Sequence, residues 1–134
     1  MGKTYMTSQI NTSPTISEKA GADIADARGL LVKYDASGKV VAASAEGELV
    51  IGAGVITNSE NIKSGEDVDI QVKEIGIVKA GATIAKGAEV MADATGKAKT
   101  ATAGKFVIGT ALEAATEGQL FYIQFTKYYK PASS

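Results

Sequence analysis

The side chains able to do chemistry in this sequence are carboxylates, lysines and hydroxyls, because His, Cys and Trp are all absent. Their absence excludes disulfide scaffolds, Cys/His zinc sites, thiol nucleophiles and imidazole proton shuttles. The stretch from Asp35 to Glu46 has the span of a calcium loop. Lys39 stands at a ligand position, however, and Val40 where the loop needs glycine, so it cannot wrap a cation. Glu46/Glu48 and Glu66/Asp67 are close carboxylate pairs in turn-like surroundings, where exposed acids are solvated rather than poised as acid and base. Lys97 follows a glycine at a turn, as a lysine bearing lipoate or biotin would, but Lys39 duplicates it and a carrier presents one unique lysine. Gly2-Lys3-Thr4 ends like a phosphate loop with no glycine-rich stretch before it. No nucleophile elbow or His-based metal motif occurs. We therefore expect no catalytic, cofactor or metal residue, and no enzymatic activity.

Stepping outward from these residues, 134 positions give room for one domain with a real core. Basic residues total 14 and acidic ones 15, for a net charge of −1. That balance argues against a nucleic-acid or membrane-surface partner. The charge is unevenly placed: residues 1–70 carry six basic and ten acidic side chains, residues 71–134 eight and five. Such an asymmetry could orient the molecule against a charged partner or copies of itself, or simply describe two solvated surfaces. No stretch has the apolar length of a signal peptide or of a spanning helix, and the lack of Cys fits a protein made in the cytoplasm.

The most informative feature is an internal duplication. Lys19-Ala20-Gly21-Ala22-Asp23-Ile24-Ala25 recurs as Lys79-Ala80-Gly81-Ala82-Thr83-Ile84-Ala85, with six of seven positions identical. Gly29 then matches Gly87, Val32 matches Val90, and Asp35-Ala36-Ser37-Gly38-Lys39 matches Asp93-Ala94-Thr95-Gly96-Lys97. Val50-Ile51-Gly52 matches Val107-Ile108-Gly109. Gly65, Val68, Ile70, Gln71 and Val72 match Gly118, Phe121, Ile123, Gln124 and Phe125. The blocks keep one order while the register drifts, as insertions in loops would cause. The chain therefore reads as two copies of one β unit, residues 19–72 and 79–126, within a single β domain over residues 19–130.

Each copy has the pattern of strands and hairpins. In the Asp-Ala-(Ser/Thr)-Gly-Lys segments the Asp side chain can bond its own backbone and the Gly can supply a positive φ. Asp35, Gly38, Asp93 and Gly96 thus mark tight turns. Residues 30–34 should pair with 39–43, and 89–92 with 97–101. In residues 67–73 the alternation puts Val68, Ile70 and Val72 inward, and Phe121, Ile123 and Phe125 repeat it. Glu74 breaks the inward series before Ile75 and Ile77, which predicts a bulge or bend. With 22 Ala, 15 Gly and only two Pro, small inward residues suit a narrow barrel or close sheet packing. Residues 17–27 could form one short helix, capped by Ser17 and ended by Gly29. Residues 111–115 favour strand.

Two terminal pieces flank the repeats. Residues 1–18 are polar, with isolated Tyr5, Met6, Ile10 and Ile16 and with Pro14, and read as an extended N-terminal arm. Residues 131–134 form a polar tail after Tyr128-Tyr129, which suits packing at a strand edge. The expected fold is thus all-β: two tandem pseudo-repeats in a compact barrel-like or sandwich domain, with that arm.

The block from Ile84, with Gly87, Val90, Asp93-Ala94-Thr95-Gly96-Lys97, Val107-Ile108-Gly109-Thr110-Ala111-Leu112-Glu113 and Gly118-Gln119-Leu120, resembles the tailed-phage capsid cement, or head decoration, proteins. The first copy repeats the order in residues 29–32, 35–39, 50–55 and 65–72. It departs with a loop two residues longer at 25–29 and a longer connection at 57–64. A more distant similarity to lambda-type decoration proteins, a β-rich body with a capsid-gripping arm, fits residues 1–18. The resemblance implies a structural virion protein, made in the host bacterial cytoplasm, that binds the outer face of the expanded head. There it would brace neighbouring copies of the major capsid protein, as a homotrimer or a dimer. It also implies a gripping role for Tyr5, Met6, Ile10, Pro14 and Ile16. A head-fibre or adhesin-type β module is the alternative, although 6% aromatics without Trp offers little for sugar stacking.

Overall fold

The two Asp-Ala-(Ser/Thr)-Gly-Lys segments fold as near-identical turns in the computed structural model, which describes residues 13–132. Asp35 Oδ1 accepts from Ser37 N (2.8 Å), Ser37 Oγ (2.7 Å) and Lys39 N (3.0 Å). Asp93 Oδ1 accepts from Thr95 N (2.8 Å), Thr95 Oγ1 (2.7 Å) and Lys97 N (3.0 Å). Gly38 and Gly96 close the turns at φ of 83° and 87°, where a side chain is strained. Each turn joins an antiparallel hairpin. Strand β3 (Leu31–Tyr34) pairs with β4 (Val40–Ala42), and β9 (Glu89–Ala92) with β10 (Ala98–Thr100).

Around these hairpins each half builds a five-stranded sheet. The first adds β1 (Thr15–Lys19), β5 (Gly52–Gly54) and β7 (Asp67–Gln71) in the order β1-β7-β5-β3-β4. The second adds β8 (Ile75–Lys79), β11 (Lys105–Ala111) and β12 (Leu120–Lys130) in the order β10-β9-β11-β12-β8. Read from the other edge, the second order is that of the first. Each sheet closes on itself through one parallel bridge between its edge strands, Ala20 to Val40 and Ala80 to Ala98. Closure removes exposed edges. It also explains the repeated Ala-Gly: a Cβ on Gly21 or Gly81 would collide with the carboxylate of Asp35 or Asp93. A small pair, β2 (Ile24–Ala25) with β6 (Asn61–Ile62), closes over the first barrel, and a single bridge from Ile84 to Ala115 takes its place in the second. The fold is all-β, and no helix occurs among the described residues.

The inward series lands as patterned. Val68, Ile70, Phe121 and Ile123 are buried, while Val72 and Phe125 are half-buried against the same clusters. Burial of side chains of this size stabilises by roughly 1.5–3 kcal/mol each. On β3, Val32 faces the first barrel's own core, whereas Leu31 joins Ala43, Val50 and Ala53 in the cluster that fills the second barrel. The first sheet is therefore covered on both faces, one of them by the second half.

Three expectations need correction. Residues 17–27 form no helix: the first three are the end of β1 and Ile24–Ala25 is β2, because alternation and bridge closure outweigh helical propensity. The repeats begin earlier than residues 19 and 79, since β1 and β8 occupy the same place in their sheets. Residues 15–18, grouped with the arm, are thus paired with β7, Ile16 opposite Ile70. Glu74 does bend the chain, at a φ of 69°, and the bend sends it from the first barrel into the second. The β11 strand ends at Ala111, so residues 112–115 are loop up to the Ala115 bridge.

Candidate binding surfaces

Among the described residues no group of His, Cys, Asp or Glu could hold a metal ion, and no polar or charged side chain is buried. The hairpin lysines are placed differently from a carrier's: Lys39 is exposed, while Lys97 is half-buried against the first half. What the fold offers is surfaces, and the most elaborate is the one the two halves already share.

That joint is built from backbone. Leu31 N donates to Gly96 O (2.7 Å), Lys79 N to Gly29 O (2.9 Å), Gly47 N to Ala92 O (2.8 Å) and Phe106 N to Gly47 O (2.9 Å). Two ion pairs cross it, Asp26 with Lys79 and Glu46 with Lys99 (2.8 Å), and Lys127 Nζ reaches Ile51 O at 2.5 Å. Both pairs take their acid from the first half and their base from the second, so the charge asymmetry of the sequence is partly spent inside the molecule. Asp26 stands at φ 49° in the longer loop of the first copy. The hydrogen bond from Lys79 is the main cause holding its carboxyl below the usual carboxylate range; burial opposes it and Arg28, at 3.0 Å, adds to it. An open cleft of about 510 Å³ runs along the joint between Asp23, Asp26, Lys79, Thr95 and Lys97.

Neighbouring groups are tied into the barrels. Burial pushes the Glu48 carboxyl up, but hydrogen bonds from Lys33, Ser44 N and Ala45 N outweigh it and leave Glu48 below its ordinary value. The Tyr34 hydroxyl donates to Glu18, which raises its pKa, and burial lowers that of Lys127. An apolar patch lies at the joint's rim: Leu49, Phe106, Tyr128 and Tyr129 surround a small pocket of about 120 Å³ with Lys127. Phe106 and Tyr129 meet edge to face at 5.1 Å.

Of the residues expected to grip a partner, Tyr5, Met6 and Ile10 lie outside the described residues. Pro14 accepts the Val72 N–H at 2.8 Å, and Ile16 packs on the first core. Sequence reasoning did not single out Asp26, Lys79 or Lys99, and it read Glu46 as a solvated turn acid. The opposite charge of the two halves was the signal that could have found them. No helix of the described residues is long and apolar enough to cross a membrane.

Known proteins offer two points of comparison. A family model described as phage cement protein matches residues 49–123. That stretch runs from just before β5 into β12 and so spans the joint. The solved head fiber gp8.5 N base of bacteriophage phi29 is similar with a TM-score of 0.64 and 22% identity, covering 84% of this chain and 92% of that one. No curated protein matches.

Proposed function

The chain belongs to the phage cement protein family, a structural and non-enzymatic component of the virion's capsid surface, and on that premise we propose that it seats on the outer face of the expanded head as a homotrimer and ties neighbouring copies of the major capsid protein together. The observation that carries this is the family match, which spans the joint of the two barrels. A protein that binds only the assembled, expanded lattice stabilises it by mass action. Contact with several coat subunits at once raises effective concentration, so modest single contacts suffice.

Residues 1–12, with Tyr5, Met6 and Ile10, supply the grip, by adding a strand or by filling shallow pockets on the coat. The cut is drawn before β1, whose pairing with β7 belongs to the first barrel. Electron microscopy and co-sedimentation of expanded and unexpanded shells with the purified protein test the reading. Occupancy of expanded shells alone, and greater resistance of those shells to heat, is expected; no binding to expanded shells overturns it. A variant lacking residues 1–12 should keep its strand signature and lose binding, and unchanged binding would remove the arm from the account.

The fold shared with a head fiber base supports a second reading, in which the two barrels anchor or form part of a head-fibre or adhesin-type module. Binding to host surfaces or glycans rather than to shells would favour it.

A further inference from the structure

Of the second half's lysines, Lys79, Lys99 and Lys130 are matched with carboxylates. Lys79 meets Asp26, Lys99 meets Glu46 at 2.8 Å, and Lys130 meets Glu89 at 2.7 Å. Lys127 is placed differently. Among the described residues no acid pairs with it, and its ammonium donates to one carbonyl, that of Ile51. Burial lowers its pKa with no neighbouring carboxylate to oppose the shift. An ammonium has three protons to donate. Two of the three have no protein acceptor among the described residues, beside apolar walls that weaken hydration.

Local geometry aims this side chain. Val107 lies opposite Tyr128 and Gly109 opposite Phe125, so β12 carries one residue more than β11 between these pairs. A bulge of this kind re-aims a side chain out of the strand's alternation. Lys127 takes it up at a φ of 31°, in the left-handed region that a lysine rarely adopts. Its counterpart in the first copy is Glu74, also at positive φ, where the bend sends the chain into the second barrel. In the second copy the strand resumes along β11 instead, and the bend carries a cation. A strained backbone kept without glycine marks a place where the position of the side chain matters.

The surroundings define what the ammonium can meet. With Lys127, a pocket of about 120 Å³ is lined by Leu49 and Val50 from the first half and by Phe106, Val107, Tyr128 and Tyr129 from the second. That volume suits one side chain rather than a small-molecule ligand, whose sites run to about 300–1,000 Å³. Its rim is open, with Leu49 62% and Tyr129 50% exposed. A small apolar pocket with an aromatic rim is the form of an anchor site for a protein partner. Charge complementarity selects an acid for the unmatched ammonium, and one cation is too few to hold a nucleic-acid backbone. We propose that this pocket takes an apolar side chain from a segment of the coat protein, while Lys127 pairs with an Asp or Glu carboxylate beside it on the same segment. The inference rests on the capsid reading and names a second hold besides residues 1–12. Both halves line the pocket, so it exists only when the joint is closed.

Lysine footprinting reads the pocket directly. Acetic anhydride followed by mass spectrometry should acetylate Lys127 readily in the free chain, where the residue is exposed. Labelling should be about tenfold slower when nearly all of the protein is bound to expanded shells. K127M keeps the length of the side chain and removes its charge, and in co-sedimentation it should raise the concentration for half-occupancy of those shells by about tenfold or more. L49D sets a carboxylate at the rim, where it competes for the ammonium and repels the incoming acid, and should weaken binding as much. Far-ultraviolet circular dichroism of both variants should match the wild type, so that loss of the pocket is separated from loss of the fold. Unchanged binding in either variant, or a Lys127 that stays reactive on shells, would overturn the pocket and leave the capsid reading standing. A Lys127 already unreactive in the free chain would overturn it too, by giving the site to a second copy of the chain. A wild-type protein that ignores expanded shells would reject the capsid reading, and this partner with it.

Discussion

Gly38→Ala and Gly96→Ala form an experiment with its own control. Both glycines close the same turn at nearly the same φ, 83° and 87°, so an alanine at either carries the left-handed penalty of roughly 1–2 kcal/mol. Only at Gly96 does the new methyl also meet the other half, at 3.0 Å from Leu30 and 3.1 Å from Leu31 O. That carbonyl cannot retreat freely, because it accepts from Ala43 N at 3.0 Å while Leu31 N is bound to Gly96 O at 2.7 Å. Overpacking of this kind adds about 1–3 kcal/mol. Gly96→Ala should therefore cost roughly 2–5 kcal/mol and Gly38→Ala roughly 1–2 kcal/mol. Urea unfolding measures both. Midpoints should separate while the denaturant slope stays constant. Costs equal within about 0.5 kcal/mol would refute a joint that presses on Gly96 and leaves Gly38 open.

Phe121→Ala should destabilise by about 3–5 kcal/mol in the same assay, since Phe121 is 2% exposed in the cluster that both halves share. Glu74→Gly should stabilise by up to about 1 kcal/mol, because Glu74 holds φ 69° at the bend between barrels; a loss of stability would contradict that account. The carboxyls of Asp26, Asp35 and Glu48 lie below their ordinary values of 3.8, 3.8 and 4.5. Depressed values mean the unfolded chain binds protons more readily, so their stabilisation is complete above the unfolded values, from about pH 5, and drains away as pH falls through the lower folded ones. The urea midpoint should accordingly drop from pH 5 to pH 3, and a rise over that interval would reverse the sign assigned here.

Local signals made much of the fold legible. Each Asp-x-(Ser/Thr)-Gly-Lys turn carries its own hydrogen bonds, and period-two alternation marks β7 and the start of β12, so the hairpins and inward residues could be placed from sequence. The opening strands could not. Residues 15–19 and 75–79 share little beyond Lys19 and Lys79, and their equivalence lies in pairing with β7 and β12, a non-local fact. The proposed helix at 17–27 failed for the same reason: its small residues serve the Ala20–Val40 and Gly21–Asp35 approaches, which local propensity does not see. Charge placement foreshadowed the joint without naming Asp26 or Glu46, because which acid meets which lysine depends on how the barrels are turned.

Divergence of the copies then has a physical direction. The loop at residues 25–29, two residues longer than its counterpart, is what carries Asp26 to Lys79, and Glu46 and Lys99 stand where the other copy has Ala103 and Val41. Both changes add an ion pair to the joint. Partly exposed ion pairs contribute only about 0–1 kcal/mol each, but the intramolecular joint also avoids the association cost that every contact between chains must meet.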